Sequence, residues 1–335
     1  MRYTKLGATE LYLSVIGFGG IPIQRVSREE ALEILDACKD EGINFIDTAR
    51  LYTDSEEKIG EYFRARGREG WYVASKSAAR DYEGIWRELK TSLANLACSY
   101  LDLYQLHNVA SAQEMDRVLG PGGALEALEE AKRRGLIRYI GLTGHKPEIL
   151  ETGVTSGRFH TLQIPFNPLE QQALPLLKKA RALGLGTIAM KPLAGGALTA
   201  ATAALDHIIN CGWVDVAIPG MQSLAEVRQN SRVPEMKVSQ ADKKELEELI
   251  AGLGANFCRR CEYCQPCPHG LKIPAIFLFE GYYTRYKLKE WALDRYGALE
   301  VKASDCTQCG ICESRCPYEL PIRQMLKQTA ATLEK

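Results

Sequence analysis

Residues 43–52 read INFIDTARLY, an apolar run that ends on an acid, Asp47, followed by a polar turn that carries Tyr52. A short run of this kind, rich in β-branched and aromatic residues and cut off by a turn, reads as a buried strand. Outward from it the same phrase recurs: a short apolar run, a Gly-rich or polar turn, then an amphipathic stretch of ten or more residues. The strand-like runs are LSVIGFG at 13–19, INFID at 43–47, WYVAS at 71–75, LDLYQLH at 101–107, IRYIGL at 137–142, TLQIPF at 161–166, GTIAM at 186–190 and DVAIP at 215–219. Between them REEALEILDACKDEG (28–42), GIWRELKTSLANL (84–96), GALEALEEAKRRG (123–135) and ALPLLKKARALG (173–184) read as helices, several of them closed by the Gly that ends helices. Eight strands, most followed by a helix, are the number that closes an α/β (β/α)8 TIM barrel, and about 220 residues is within its usual size. An open doubly wound sheet is the alternative.

The whole chain has 335 residues, with 42 Lys+Arg against 42 Asp+Glu, so no global field draws it to nucleic acid, an acidic membrane or a strongly anionic partner. With 46% apolar and 25% charged residues it can bury a sizeable core, unlike a disordered chain. No run of about 18 apolar residues occurs, and MRYTKLGATE at the start lacks the succession that makes a signal peptide. A cytoplasmic protein that neither spans a membrane nor binds nucleic acid is expected. Of the eleven cysteines, Cys38, Cys98 and Cys211 are solitary and read as small buried hydrophobes, while the other eight lie between Cys258 and Cys316. The chain thus has two compositional regimes.

In the first regime GFGG at 17–20 lacks the third glycine of a dinucleotide fingerprint, and Pro22 stands where a helix would open, so a tight turn is the simpler reading. Chemistry on a barrel sits at the C-terminal ends of its strands. There Asp47 ends the second strand with Tyr52 five residues on, Lys76 follows the third strand in YVASKS, and His107 ends the fourth in LYQLHNV. Singly, each has an ordinary explanation as a cap, a rim aromatic, a solvated lysine or a satisfied imidazole. Together they occupy equivalent positions on consecutive strands of one face, which makes a joint site the better reading. The stretch from Asn108 to Gly123 is the longest candidate for a lid.

These four residues, in the contexts DTAxxY, SK and QLHN, resemble the tetrad of the aldo-keto reductase superfamily, and the likeness covers nearly all of residues 1–235. It extends to IGLTGH at 140–145, LQIPFNPLE at 162–170 and IPGMQSLAEVRQN at 218–230, which match the family's cofactor segments. The resemblance implies an NAD(P)-dependent oxidoreductase that interconverts a small carbonyl compound and its alcohol, with Tyr52, Asp47, Lys76 and His107 catalytic. It further implies nucleotide contacts from Gly19, Gly20, Asp47, Thr143, Gly144, Gln163, Met190, Lys191, Pro192, Leu193, Pro219, Gly220, Met221, Glu226, Gln229 and Asn230. Two places depart from the family's pattern. Met190 stands where an aromatic commonly stacks on the nicotinamide, and Gly220 and Glu226 stand where NADP-preferring members often carry Lys and Arg. An acid beside a phosphate is repulsive, which keeps NAD open beside NADP, and Arg228 is placed to compensate.

The chemistry of such a tetrad follows from its groups. Hydride reduction of a carbonyl leaves an alkoxide, and a phenol with a pKa of about 10 is a usable proton donor. Lys76 is expected to lower the pKa of Tyr52, Asp47 to hold the ammonium and keep it charged, and His107 to hydrogen-bond and orient the carbonyl oxygen.

The second regime begins with a connecting helix over 236–254, which carries the charged stretch VSQADKKELEELIAGLG at 238–254 and joins the barrel to a domain at 255–335. That domain carries Cys258-x2-Cys261-x2-Cys264-x2-Cys267-Pro268 and Cys306-x2-Cys309-x2-Cys312-x3-Cys316-Pro317. The second run has the bacterial ferredoxin spacing, and the first is one residue short before its last Cys. In two-cluster ferredoxins the fourth ligand comes from the other run. By that rule Cys258, Cys261, Cys264 and Cys316 hold one 4Fe-4S cluster, and Cys306, Cys309, Cys312 and Cys267 the other. Structural zinc is the alternative, although it favours pairs of CxxC knuckles and has little use for a third Cys at the same interval. The arrangement resembles aldo-keto reductases with a C-terminal, α-rich ferredoxin-like iron–sulfur domain. The segment IPAIFLFEGYYTRYKLKEWALDRYG at 273–297 reads as one or two helices, with Tyr282, Tyr283 and Trp291 as core or interface. The clusters are expected either to exchange single electrons with a ferredoxin-like partner or to serve as docked structure. The competing function is an electron-transfer or accessory subunit whose barrel binds a nucleotide or partner without reducing a carbonyl, and the intact tetrad counts against it.

Overall fold

The structure is a computed structural model that describes residues 1–253, 257–259, 264–284, 288–316 and 318–335. It divides into two compact units, Met1–Ala194 with Ala200–Leu246, and Gly195–Thr199 with Glu247–Lys335. In the first unit β1 (Tyr3–Lys5) and β2 (Tyr12–Ser14) form an antiparallel hairpin. The strands β3 (Phe18–Gly19), β4 (Phe45–Asp47), β5 (Tyr72–Ser77), β6 (Leu101–Leu106), β7 (Ile137–Thr143), β8 (Thr161–Pro165), β9 (Gly186–Met190) and β10 (Val216–Ala217) then pair in parallel, each with the next in sequence. Backbone bonds join the last to the first: Gly17 N–H to the Ala217 carbonyl at 2.8 Å, Gly19 N–H to the Pro219 carbonyl at 2.9 Å, and Ala217 N–H to the Val15 carbonyl at 2.9 Å. The sheet therefore closes into a (β/α)8 barrel, and the open doubly wound alternative is excluded. Closure needs a residue without a side chain at Gly19, because a Cβ there would lie 2.9 Å from the carbonyl oxygens of Ile218 and Pro219.

The run at 13–19 is not one strand. Leu13 pairs with Thr4 in the hairpin, and only Phe18 and Gly19 join the barrel. The hairpin's Leu6, Leu11 and Leu13 are fully buried, in one cluster with Phe45, Ala74, Leu103, Ile188 and Val216 from the barrel strands. Each such leucine contributes about 1.5–3 kcal/mol relative to exposure, so this pair of strands fills the barrel interior with side chains that the barrel strands do not supply. A second, larger core lies between the strands and the surrounding helices.

The helices begin and end where local chemistry dictates. Ser27 accepts from the Glu30 N–H at 3.1 Å and the Glu30 carboxylate accepts from the Ser27 N–H at 2.7 Å, a capping box that starts helix Arg28–Asp40. That helix buries Ala31, Ile34, Leu35 and Cys38 at helical spacing. Helices Tyr82–Asn95, Ala112–Leu119 and Leu224–Arg232 start on Asp81, Ser111 and Ser223, whose side chains each accept an N–H from the first turn. Cys38 is fully buried, and Cys98 and Cys211 pack against the same core.

The second unit contains helices Ile273–Thr284, Lys289–Gly297, Ile311–Ser314 and Ile322–Leu333. Its core gathers Leu271, Ile273, Ile276, Phe277, Tyr296, Leu320, Ile322 and Leu326 with two of the cysteines, Cys264 and Cys312. The segment read as one or two helices is two, and Tyr282 meets Trp291 across them edge to face, with ring centroids 4.8 Å apart. Helix Gln240–Leu253 occupies the charged stretch that precedes this domain. No helix among the described residues is long and apolar enough to cross a membrane.

Candidate active site

Parallel register sets the strand ends level with one another: Gly19 lies beside Asp47, Asp47 beside Ala74, and Lys76 beside Gln105. Asp47 and Lys76 thereby meet, with Nζ 2.5 Å from Oδ1 and side chains 3% and 1% exposed. Nζ also donates to the Thr48 carbonyl at 2.8 Å. The second carboxylate oxygen of Asp47 accepts from Gln105 Nε2 at 3.1 Å, and Gln163 Nε2 donates to Oδ1 at 3.4 Å. Gln105 and Gln163 are themselves joined at 2.9 Å.

Tyr52 reaches the same place from the loop after β4. Lys76 Nζ is 4.9 Å from the centre of its ring, and the His107 imidazole meets that ring edge to face at 5.6 Å. The loop is held at several points. The Gly20 N–H donates to the Asp47 carbonyl and the Arg50 N–H to the Lys76 carbonyl. Ser55 Oγ donates to the Gly20 carbonyl at 2.9 Å and lies 2.9 Å from Thr48 Oγ1. Arg50 Nη1 sits 2.7 Å from the carboxylate of the fully buried Glu56, which also accepts from Ser75 Oγ at 2.6 Å. The four residues picked out on separate strands and loops are thus brought together.

Electrostatics separate their roles. Burial pushes the Asp47 carboxyl up, against the pull of Lys76 and the two glutamine amides. Burial works against the Lys76 ammonium, but the Asp47 charge and Tyr52 outweigh it and hold Lys76 above its ordinary value, so the lysine stays charged. For Tyr52 the expected sign holds for Lys76 alone. Burial is the larger effect and Asp47 adds to it, so the phenol ends above its ordinary range rather than below it. Burial, with Lys76 and Arg80 nearby, drives His107 down to about 3, leaving a neutral imidazole at neutral pH.

Sequence reasoning missed three parts of this arrangement. Gln105 is fully buried, and its signal is Gly141 on the neighbouring strand, where a Cβ would press to 2.7 Å from Gln105 Cγ. Asn167, also fully buried, donates to Glu170 at 2.8 Å and to the Lys191 carbonyl at 3.0 Å, tying the ends of β8 and β9 together. The Arg50–Glu56 pair that anchors the Tyr52 loop had no local signal at all.

Among the residues named for nucleotide contact, Gly19 and Gly20 are needed for close backbone approach, and Met221 is wholly buried in the core between strands and helices. Gln163 is engaged with Asp47 and Gln105, and Thr143 Oγ1 accepts the Asn108 N–H at 2.8 Å. Gly144 leaves room that a Cβ would fill, since it would lie 2.7 Å from the Val109 carbonyl. Met190 and Lys191 are half-buried, Pro192 and Pro219 buried, and Leu193 packs partly against the core. On helix Leu224–Arg232, Gln229 is exposed and Asn230 is buried. The Glu226 carboxylate turns back to accept the Gln222 N–H at 2.7 Å, near Gly220 at the end of β10. Three buried polar atoms at the strand ends, His107 Nδ1, Asn108 Oδ1 and Gln105 Oε1, have no partner among the described residues. Such groups fit a site completed by a polar ligand, and a nicotinamide with its carboxamide has the matching chemistry.

In the second unit Cys267, Cys306, Cys309 and Cys312 line one small pocket together with Leu271, Ile273 and Leu326. Cys264, expected in the other ligand set, also borders it. Cys258 and Cys316 pack half-buried against the same apolar core, and Cys261 lies outside the described residues. A tetrahedral zinc needs four ligands at about 2.3 Å from one point. Among the described residues no three such side chains converge in that way, and the thiols line an apolar pocket. Thiols gathered in an apolar pocket have the donor chemistry that an iron–sulfur cluster takes.

The aldo/keto reductase family model matches residues 15–211, and a 4Fe-4S dicluster domain model matches residues 257–321. An uncharacterised oxidoreductase of Bacillus subtilis is 31% identical over 220 residues, which cover 59% of this chain and 67% of that protein. An aldo-keto reductase of the fungus Strobilurus tenacellus is 30% identical over 208 residues, 56% of this chain and 60% of its own length. Among solved structures, an aldo-keto reductase from Bacillus halodurans in its holo form superposes with a TM-score of 0.66 at 22% identity, covering 74% of this chain and 96% of that one. The last likeness bears on the fold alone.

Proposed function

The chain belongs to the aldo/keto reductase family, and from that premise we propose that it interconverts a small aldehyde or ketone and the corresponding alcohol with a nicotinamide nucleotide. The observation that carries the reading is the convergence of Tyr52 and His107 on the buried Lys76–Asp47 pair. When bound, NADH or NADPH would supply the hydride, and NAD or NADP would take it up in the reverse direction. The residues do the rest. Neutral His107 donates a hydrogen bond to the carbonyl oxygen and orients it. Tyr52 gives its proton to the alkoxide that forms, and the Lys76 ammonium stabilises the phenolate left behind. Asp47, fixed by Gln105 and Gln163, keeps that ammonium in place. In the oxidising direction the Tyr52 phenolate takes the proton back.

The residues proposed to hold the nucleotide are those at the strand ends, with Gln163 and Gly144 near the carboxamide, Met190 against the ring, and Gly220, Gln229 and Asn230 at the adenine end. Because Glu226 is turned to the Gln222 N–H and Arg228 is exposed two residues on, both NAD and NADP stay in the proposal. In the second domain we assign two 4Fe-4S clusters, one to Cys267, Cys306, Cys309 and Cys312 and one to Cys258, Cys261, Cys264 and Cys316. The first assignment is supported by the pocket that its four thiols line, which Cys264 of the second set also borders. The clusters supply one-electron transfer, and a ferredoxin-like carrier in the reducing cytoplasm is the proposed partner. The functional division is a barrel at 1–235, a connecting helix at 236–254 and a cluster domain at 255–335. The test is an anaerobic assay of NADH and NADPH oxidation with a panel of aldehydes and ketones, alongside iron and sulfide counts. Oxidation of neither nucleotide with any carbonyl would remove the reductase reading, and absence of iron would remove the cluster reading.

A further inference from the structure

We propose that Gln308 sets the reduction potential of the cluster bound by Cys306, through a hydrogen bond from its side-chain amide to the Cys306 sulfur. The inference rests on the reading above that Cys306 is a cluster ligand. Gln308 lies within the Cys306-x2-Cys309 loop, and its Nε2 stands 3.4 Å from Cys306 Sγ. Its backbone is left-handed, with φ +61, a region that residues bearing a Cβ avoid. Two residues on, Gly310 takes the same region at φ +80 with the residue type that tolerates it. A glycine at 308 would meet the backbone's demand with less strain, but it would lack the amide that reaches the Cys306 sulfur. That side chain is half-buried, and its outer side borders a surface opening beside Glu313, Glu319, Arg323 and Lys327.

The physical effect has a definite sign. One-electron reduction adds a negative charge to a cluster and its thiolate sulfurs. A donor aimed at one of those sulfurs stabilises the reduced state more than the oxidised one, and so raises the potential. Gln308 acts on the electron through Cys306, which makes it a positioning residue for charge rather than a ligand. Its amide protons, next to an opening, can exchange with solvent.

The experiment uses the intact, anaerobically purified protein, titrated with dithionite in the presence of mediators and followed by electron paramagnetic resonance. Gln308→Gly removes the donor while relieving the backbone, and Gln308→Glu keeps the shape but replaces the amide with an acceptor. Both are expected to lower the midpoint of one cluster and leave the other unchanged, at wild-type iron content. The expected change is about tenfold in the reduction equilibrium constant, which for one electron is about 59 mV. Wild-type midpoints in both iron-replete variants would overturn the proposal. If the variants lose iron, the native protein labelled with ¹⁵N at the glutamine amides decides. A hyperfine coupling from one such nitrogen to the reduced cluster is expected, and its absence would overturn the proposal equally. A wild-type chain that binds no iron would instead remove the cluster assignment, and this inference with it.

Discussion

Lys76 Nζ lies 2.5 Å from Asp47 Oδ1, and neither side chain has appreciable contact with solvent. Two charges so placed are mutually dependent, because losing one leaves the other buried and uncompensated at a cost of about 3–5 kcal/mol. Lys76→Met is therefore expected to destabilise the barrel by about that amount, read from urea unfolding midpoints. The double variant Lys76→Met/Asp47→Leu is expected to recover part of the loss. A single variant within about 0.5 kcal/mol of wild type, the range of ordinary surface substitutions, would mean that the pair is not buried as described.

The Tyr52 phenol sits above its ordinary range because burial outweighs Lys76. Reduction needs the phenol and oxidation needs the phenolate. In the reducing direction kcat/KM is thus expected to stay level through neutral pH and to fall only as pH rises past the ordinary tyrosine value of about 10. Lys76→Met removes the one charge that favours phenolate, so the limb moves to still higher pH. A limb well below the ordinary tyrosine value in the wild type would show that Lys76 dominates over burial.

His107 is depressed to about 3 in the folded barrel, whereas an unfolded histidine titrates at about 6.5. The unfolded chain then binds the proton more readily. The stability that the neutral imidazole contributes is complete above the unfolded value and is lost progressively as pH falls from there towards the folded value. Urea midpoints at pH 7 and pH 5 should differ, and the difference should shrink in His107→Gln. An equal difference in that variant would place the pH sensitivity elsewhere.

Much of this site is written in short stretches. Asp47, Lys76 and His107 each end an apolar run, and a run of period two or uniform apolarity is visible over a few residues. Gln105 was hidden because it sits inside such a run, one position before Leu106, where a polar residue reads as outward-facing. Only Gly141 on the next strand reveals that it has room to point in. The hairpin was illegible for a related reason. Tyr3–Lys5 is short and polar, and the buried surface it serves, with Leu6 and Leu11, belongs to strands far along the chain. The position of Tyr52 depends on Arg50, Glu56 and Ser75, a contact between a loop, a helix and a strand that no local pattern encodes. The ferredoxin spacing, by contrast, is entirely local, although it places Cys264 in the other ligand set from the thiols it borders the pocket with.

The cysteine assignment makes a stoichiometric prediction. Cys312 borders the pocket with Cys267, Cys306 and Cys309. Cys312→Ala is expected to lower the iron content from about eight to about four atoms per chain, with the remaining signal that of a single cluster. Unchanged iron would show that Cys312 is not a ligand.

The most direct test of the barrel chemistry follows an isotope. Nucleotide carrying deuterium at the transferable position of the nicotinamide is supplied with a panel of aldehydes and ketones under anaerobic conditions, and the alcohols are analysed by mass spectrometry. With the wild-type protein one deuterium is expected on the carbinol carbon. With Tyr52→Phe the rate of its appearance should fall by about 10²–10⁴-fold, while nucleotide affinity, read from fluorescence, is retained. Deuterium-free alcohol, or transfer at the same rate without the Tyr52 hydroxyl, would contradict the account.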